Sequence, residues 1–204
     1  MNRPPFALPP RRWTIALLAT ALFASGGFAA APARPLPSSS IYQMSLPLSD
    51  QNGRSLTLAD RRGKPAMISM FYTSCEFVCP RIIEGLKRTQ RKIAEDGLPT
   101  VPVLLVSFDP QRDDAATLKK AAAERGIDNG AWTLARAEPR DVRKLAAMLR
   151  IQYKQLPSGE FNHSSVLILL DAEGRIVGRT TMIGEADPAF VKLAETTLRA
   201  PAKK

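Results

Sequence analysis

Cysteine and histidine are nearly absent from this chain. Its 204 residues include two cysteines, Cys75 and Cys79, and one histidine, His163. The cysteines allow one disulfide at most. With the histidine they still fall short of the four ligands that structural zinc ordinarily takes. Aromatic residues make up 6% of the chain. They do not interleave with the basic stretches, so the stacking platform that single-stranded nucleic acid needs is missing. No internal repeat is present.

The formal net charge is +10. Residues 1–33 hold three arginines and no acid, leaving +7 for the rest. Those remaining positives are scattered as "KRTQRK", "LKK" and "VRK" among acids, the pattern of solvated helix faces. A solvated face is the better reading of them, and they are also compatible with an acidic partner protein.

The N-terminus reads as a targeting segment. Arg3, Arg11 and Arg12 precede the uncharged run Trp13 to Phe23, and small residues follow in "ASGGFAAAPA". That order is the pattern of a secretory signal, with Ala31 and Ala33 fitting the cleavage site. The alternative is an uncleaved anchor, since Trp13 to Ala33 carries no charge and is just long enough to span a bilayer. We therefore expect residues 1–33 to be a signal peptide or membrane anchor, 34–44 a flexible linker beginning "RPLPSSS", and 45–200 the folded domain. Both leader readings put that domain outside the cytoplasm, in the periplasm, with its cysteines in an oxidising compartment. Membrane contact is expected only through an uncleaved N-terminus.

Hydrophobic periodicity then sets the order of elements. Alternation around Asn52-Gly53 predicts a β-hairpin. The continuous apolar run Ala66 to Tyr72 predicts a central strand covered on both faces, with Met67 and Met70 as core. From Cys79 the period becomes helical through Ile82, Ile83, Leu86 and Ile93. Pro80 falls in the first turn, and Gly97 ends the helix. "VPVLLVSFD" and "WTLARA" predict two more strands. A helix capped by Asp113 or Asp114 lies between them. A helix starting near Pro139, a hairpin turning at "DAEG" and a terminal helix complete the chain. Strands alternating with helices predict an α/β fold: a mixed central sheet flanked by helices, with the cysteine pair where a central strand enters its helix. This is the thioredoxin-like arrangement.

The pair is spaced C-x-x-x-C. On a helix, positions four apart have Cα atoms about 6.2 Å apart, against about 5 Å for positions three apart. Disulfides usually span 4.4–6.8 Å, so this spacing closes only near its limit and leaves room for an ion between the sulfurs. The helix N-terminus favours thiolate, and two thiolates with one imidazole suit Cu(I) better than zinc. Bland readings stand beside this one. A dithiol is commonly a redox or structural pair, and a lone histidine in the loop after "QLPSGEFN" is commonly a surface residue. Asp109, ending the second strand in "VSFDPQRDD", is too hard a ligand to bind Cu(I) directly. It is expected beside the cysteine helix, supporting a ligand or facing a partner.

Taken together, "FYTSCEFVCP", "VSFDPQRDD" and "NHSS" resemble the Sco/SenC family of thioredoxin-fold copper chaperones over about residues 45 to 195. The resemblance implies Cys75, Cys79 and His163 as copper ligands, for Cu(I) with Cu(II) as a second state. It implies delivery to the binuclear copper site of cytochrome c oxidase. The partner is then a copper-accepting oxidase subunit or another extracytoplasmic copper protein. The alternative function is a thiol–disulfide oxidoreductase that keeps an acceptor's cysteines reduced, with Cys75 and Cys79 as the redox pair. Many family members carry Pro-Asp after the first cysteine, where this chain has Glu76-Phe77, which changes the surface around the metal.

Overall fold

The computed structural model describes residues 35–127 and 130–200. The expected leader, residues 1–33, lies outside them. Among the described residues no helix is long and apolar enough to cross a membrane.

The sheet is built outward from its most apolar strands. β3 (Ala66–Phe71) is buried at all six positions and β4 (Val103–Ser107) at all five. They pair in parallel, and β5 (Trp132–Ala137) pairs in parallel with β4. Parallel central strands lose both faces to covering layers, which explains why their apolarity is continuous. The N-terminal hairpin, β1 (Leu48–Asp50) and β2 (Ser55–Leu56), adds antiparallel beyond β5. Asp50 holds its turn by accepting from the amides of Asn52 and Arg54. On the other side β8 (Leu167–Leu170) pairs antiparallel with β3, and β9 (Ile176–Thr180) with β8. The seven strands run β2-β1-β5-β4-β3-β8-β9, a mixed sheet as expected.

Among the described residues four α-helices accompany the strands. α1 (Val78–Glu95) buries Cys79, Ile82, Ile83, Leu86 and Ile93, one face of a helix. It packs beside α4 (Pro188–Arg199), which Asp187 caps by accepting from Ala189 and Phe190 amides. α2 (Ala115–Glu124) lies over β1 and β5, and its cap is Asp114, which accepts from the Thr117 amide. α3 (Pro139–Met148) begins at its predicted proline.

Two expectations need correcting. The linker expected at 34–44 is partly structured. Ser40 to Gln43 form a 3-10 turn whose Ile41 and Tyr42 are each only 3% exposed. Burial of these two side chains in the core overrides a Ser/Pro-rich neighbourhood. The loop expected to carry His163 is instead a small second sheet of β6 (Tyr153–Gln155) and β7 (Phe161–His163). Strands three residues long have too little alternation for periodicity to register.

Candidate metal centre

Where β3 gives out, its apolar period stops and the chain turns before α1. Tyr72 accepts from the Cys75 amide at 3.3 Å, and Cys75 Sγ accepts from the Cys79 amide at 3.3 Å. The first sulfur thus sits over the helix N-terminus, where amide hydrogens have no partner within the helix. The second is in the first turn. Cys75 is 5% exposed and Cys79 fully buried. Both are free cysteines, so the pair is a dithiol here, not a structural disulfide.

The two sulfurs are pushed apart in acidity. The Cys79 side chain donates to Cys75, with further help from His163 and the helix amides of Cys79 and Val78. Together these outweigh burial and push the Cys75 thiol down to about 3. Cys79 is pushed up, first because its proton is engaged by Cys75 and then because burial and the neighbouring thiolate disfavour a second charge.

His163 arrives from a segment distant in sequence. It ends β7 opposite Tyr153. Its ring packs on Phe108 at 4.9 Å and stands edge-on to Tyr72 at 6.2 Å between centroids. Phe161 joins both of these aromatics, at 5.1 Å from Tyr72 and 6.1 Å from Phe108. His163 Nδ1 lies 3.2 Å from the Ser164 carbonyl. A carbonyl only accepts, so the tautomer protonated at Nδ1 satisfies this contact and has Nε2 free to coordinate an ion. One ligand atom each from Cys75, Cys79 and His163 lies within 4.8 Å of the others. Two sulfurs and an imidazole form a donor set that a thiophilic ion fits.

Asp109 is not one of this group. Its carboxylate is buried and engaged by Arg112, whose guanidinium also donates to the Gly159 carbonyl at 2.7 Å. The carboxylate is thus buried against the half-exposed Arg112 side chain. Arg112 in turn ties the β4 end to the turn of the β6–β7 hairpin.

Sequence reasoning missed Asp113, which the structure makes central. This side chain is 1% exposed and accepts from the Thr73 amide at 3.1 Å, from the Thr73 hydroxyl and from the Ser107 hydroxyl. It clasps the turn that leads to Cys75. Burial outweighs these bonds and holds its carboxyl above the usual carboxylate range. The aromatic support was missed as well, although "FNH" and the tyrosine before "TSC" were the available signal. Tyr72 donates to Glu160 at 2.5 Å and accepts from the Phe161 amide at 3.4 Å, so the hairpin is fastened to the strand that leads to the cysteines.

Comparison with known proteins agrees with this architecture. The SCO1/SenC family model matches residues 37–198. The mouse protein "SCO2 homolog, mitochondrial" is 28% identical over 183 residues, covering 78% of this chain and 69% of its own length. The human counterpart is 28% identical over 138 residues, covering 62% of this chain; the chain spans about half of that relative, 49%. Among solved structures, ScoI of Bradyrhizobium japonicum with copper bound superposes with a TM-score of 0.60. It is 27% identical, covering 72% of this chain and 95% of that one. Yeast Sco1 with copper bound, at 20% identity, covers 78% of this chain and 90% of its own, and shares the fold with a TM-score of 0.64. The chain belongs to the SCO1/SenC family.

Proposed function

We propose that this protein is a copper metallochaperone that carries Cu(I) on Cys75, Cys79 and His163 and passes it to the binuclear copper site of cytochrome c oxidase. The observation that carries the reading is the convergence of two sulfurs and one imidazole within 4.8 Å. Three soft donors satisfy Cu(I) while leaving room for an incoming thiolate or imidazole to add before a protein ligand departs. The ion is cargo, so no substrate is turned over. BsSco, which shares the fold, is described as a member of the Sco family of cytochrome c oxidase assembly proteins, which supports the choice of acceptor. The leader pattern of residues 1–33 supports a site of action outside the cytoplasm.

Titrating the reduced protein with Cu(I) against a competing chelator tests the reading. One tightly held equivalent is expected. His163→Ala should weaken it by at least about tenfold, the loss of one coordinating group. Equal binding by that variant sinks the three-donor site. Transfer to a metal-free oxidase subunit, followed by its copper absorption, tests the acceptor.

The low pKa of Cys75 favours a second reading. A thiolate at neutral pH beside a protonated Cys79 is the pairing of a thiol–disulfide reductase. Cys75 attacks a partner disulfide and expels one partner thiolate. Cys79 then loses its proton and attacks Cys75 Sγ, releasing the reduced partner and leaving a Cys75–Cys79 disulfide. Reduction of a model disulfide that needs Cys75 and ignores His163→Ala would favour this role.

A further inference from the structure

The β6–β7 hairpin has an unused edge. Leu156 donates to the Glu160 carbonyl at 2.8 Å and Ser164 to Gln152 at 2.9 Å. Antiparallel pairs alternate between bonded and non-bonded. By that alternation Lys154 bonds with Asn162, while Tyr153 and Gln155 turn their backbone N–H and C=O away from β7. Among the described residues the small sheet ends there, since β6 pairs with β7 alone. Such an edge is a template for an added strand.

Beside this edge runs an open groove of about 670 Å³. One wall is residues 152–155 and the other is a face of α3. The floor is apolar, with Val142, Ala146 and Ile151 buried and Phe161 half-buried. Its rim is cationic. Arg143 and Lys154 are exposed, and neither has an ion-pair partner among the described residues. The one carboxylate lining the groove, Asp109, is already neutralised by Arg112.

We propose that this groove docks an extended acidic segment of a partner protein, added to β6 as a third strand. The segment's backbone bonds to Tyr153 and Gln155, an apolar side chain rests on Val142, Ala146 and Ile151, and carboxylates face Arg143 and Lys154. Alternating apolar and acidic residues fit, because successive strand side chains point to opposite faces. Tyr153 pairs with His163 across the hairpin, and both rings pack on Phe108, at 5.0 and 4.9 Å. A partner seated here is therefore held next to the donor histidine. Docking itself rests on the groove alone; its use in copper transfer rests on the function proposed above.

The test uses the reduced, metal-free full chain and a fluorescein-labelled hexapeptide alternating glutamate with valine. A lysine–valine peptide is the control. Fluorescence anisotropy should show binding of the acidic peptide only. The double variant Arg143→Glu/Lys154→Glu should lose at least about tenfold in affinity and take up the lysine peptide instead. Amide exchange at Tyr153 and Gln155 should slow when the acidic peptide is present. Unchanged affinity in the double variant, no slowing at those two amides, or self-association of the chain through this face would each overturn the proposal. Cu(I) titration of the wild type and double variant runs alongside. Failure of copper binding in both would count against the chaperone reading and leave peptide docking standing.

Discussion

Asp113→Ala is the substitution that most directly probes how the cysteine turn is held. The carboxylate takes three bonds, two from Thr73 and one from Ser107, at a position 1% exposed. A buried donor left without an acceptor costs about 1–3 kcal/mol. Three such donors would suggest a larger loss, but two effects offset it. Deletion relieves the burial penalty on the carboxylate, and water can enter the vacated space. A net loss of about 3 kcal/mol is the reasonable middle. For a body of this size, each kcal/mol lowers Tm by about 2–4 °C, so calorimetry at neutral pH should show a fall of roughly 6–12 °C.

The pH dependence gives a second handle on the same residue. Asp113 has a raised folded pKa, so its protonated form is favoured in the folded state. Its contribution to stability is full below the unfolded carboxylate value and falls as pH rises through the folded value. The gap between wild type and Asp113→Ala should therefore widen on acidification from neutral pH. Thr73 lies two residues before Cys75, so Cu(I) affinity should fall as well, with Asp113→Asn intermediate. A variant melting within about 2 °C of wild type, or a gap that closes in acid, refutes the clasp.

Three further outcomes follow from the geometry. The reduced, metal-free protein should show one thiolate by ultraviolet absorbance from about pH 5 to about pH 8, lost in Cys75→Ser; both sulfurs ionising together near the ordinary thiol value would contradict this separation in acidity. Because the Cys75 pKa is depressed to about 3, its stabilisation is present above the unfolded thiol value and is lost as pH falls toward the folded one. Gly174 sits at φ +77 with the Tyr42 ring 2.5 Å from where a Cβ would stand. Gly174→Ala should cost roughly 2–4 kcal/mol in denaturant unfolding, and a loss well under 1 kcal/mol would mean that the 3-10 turn yields freely. Phe161→Ala should cost about 2 kcal/mol, less than a fully buried phenylalanine. It should also weaken Cu(I) binding several-fold, because Phe161 braces the hairpin that carries His163; unchanged copper affinity would show that the ring stays placed without it.

Much of this fold is legible residue by residue, wherever a local rule acts over several positions. The six apolar residues of β3 announce a strand covered on both sides. The spacing of Cys79, Ile82, Ile83 and Leu86 announces α1, and Pro139 and Pro188 mark helix starts. The cysteine turn is legible for the same reason, since strand, turn and helix follow one another directly. β6 and β7 are not, because three-residue strands around Leu156, Pro157, Ser158 and Gly159 carry no period. They form because Tyr72, Phe108, Tyr153 and Phe161 find one another, and Tyr72 secures Glu160 and Phe161. Asp109 and Asp113 show a different limit. Both stand in one conspicuous stretch, but which carboxylate meets Arg112 and which meets Thr73 depends on where β3 and β4 end beside each other.

By itself, then, the amino-acid order determined the long central strands, the helices and the dithiol at a helix start, because each depends on neighbours a few positions away. Tertiary structure alone decided that His163 meets two sulfurs more than eighty residues earlier. That meeting depends on sheet pairing and ring packing between segments that no local pattern connects.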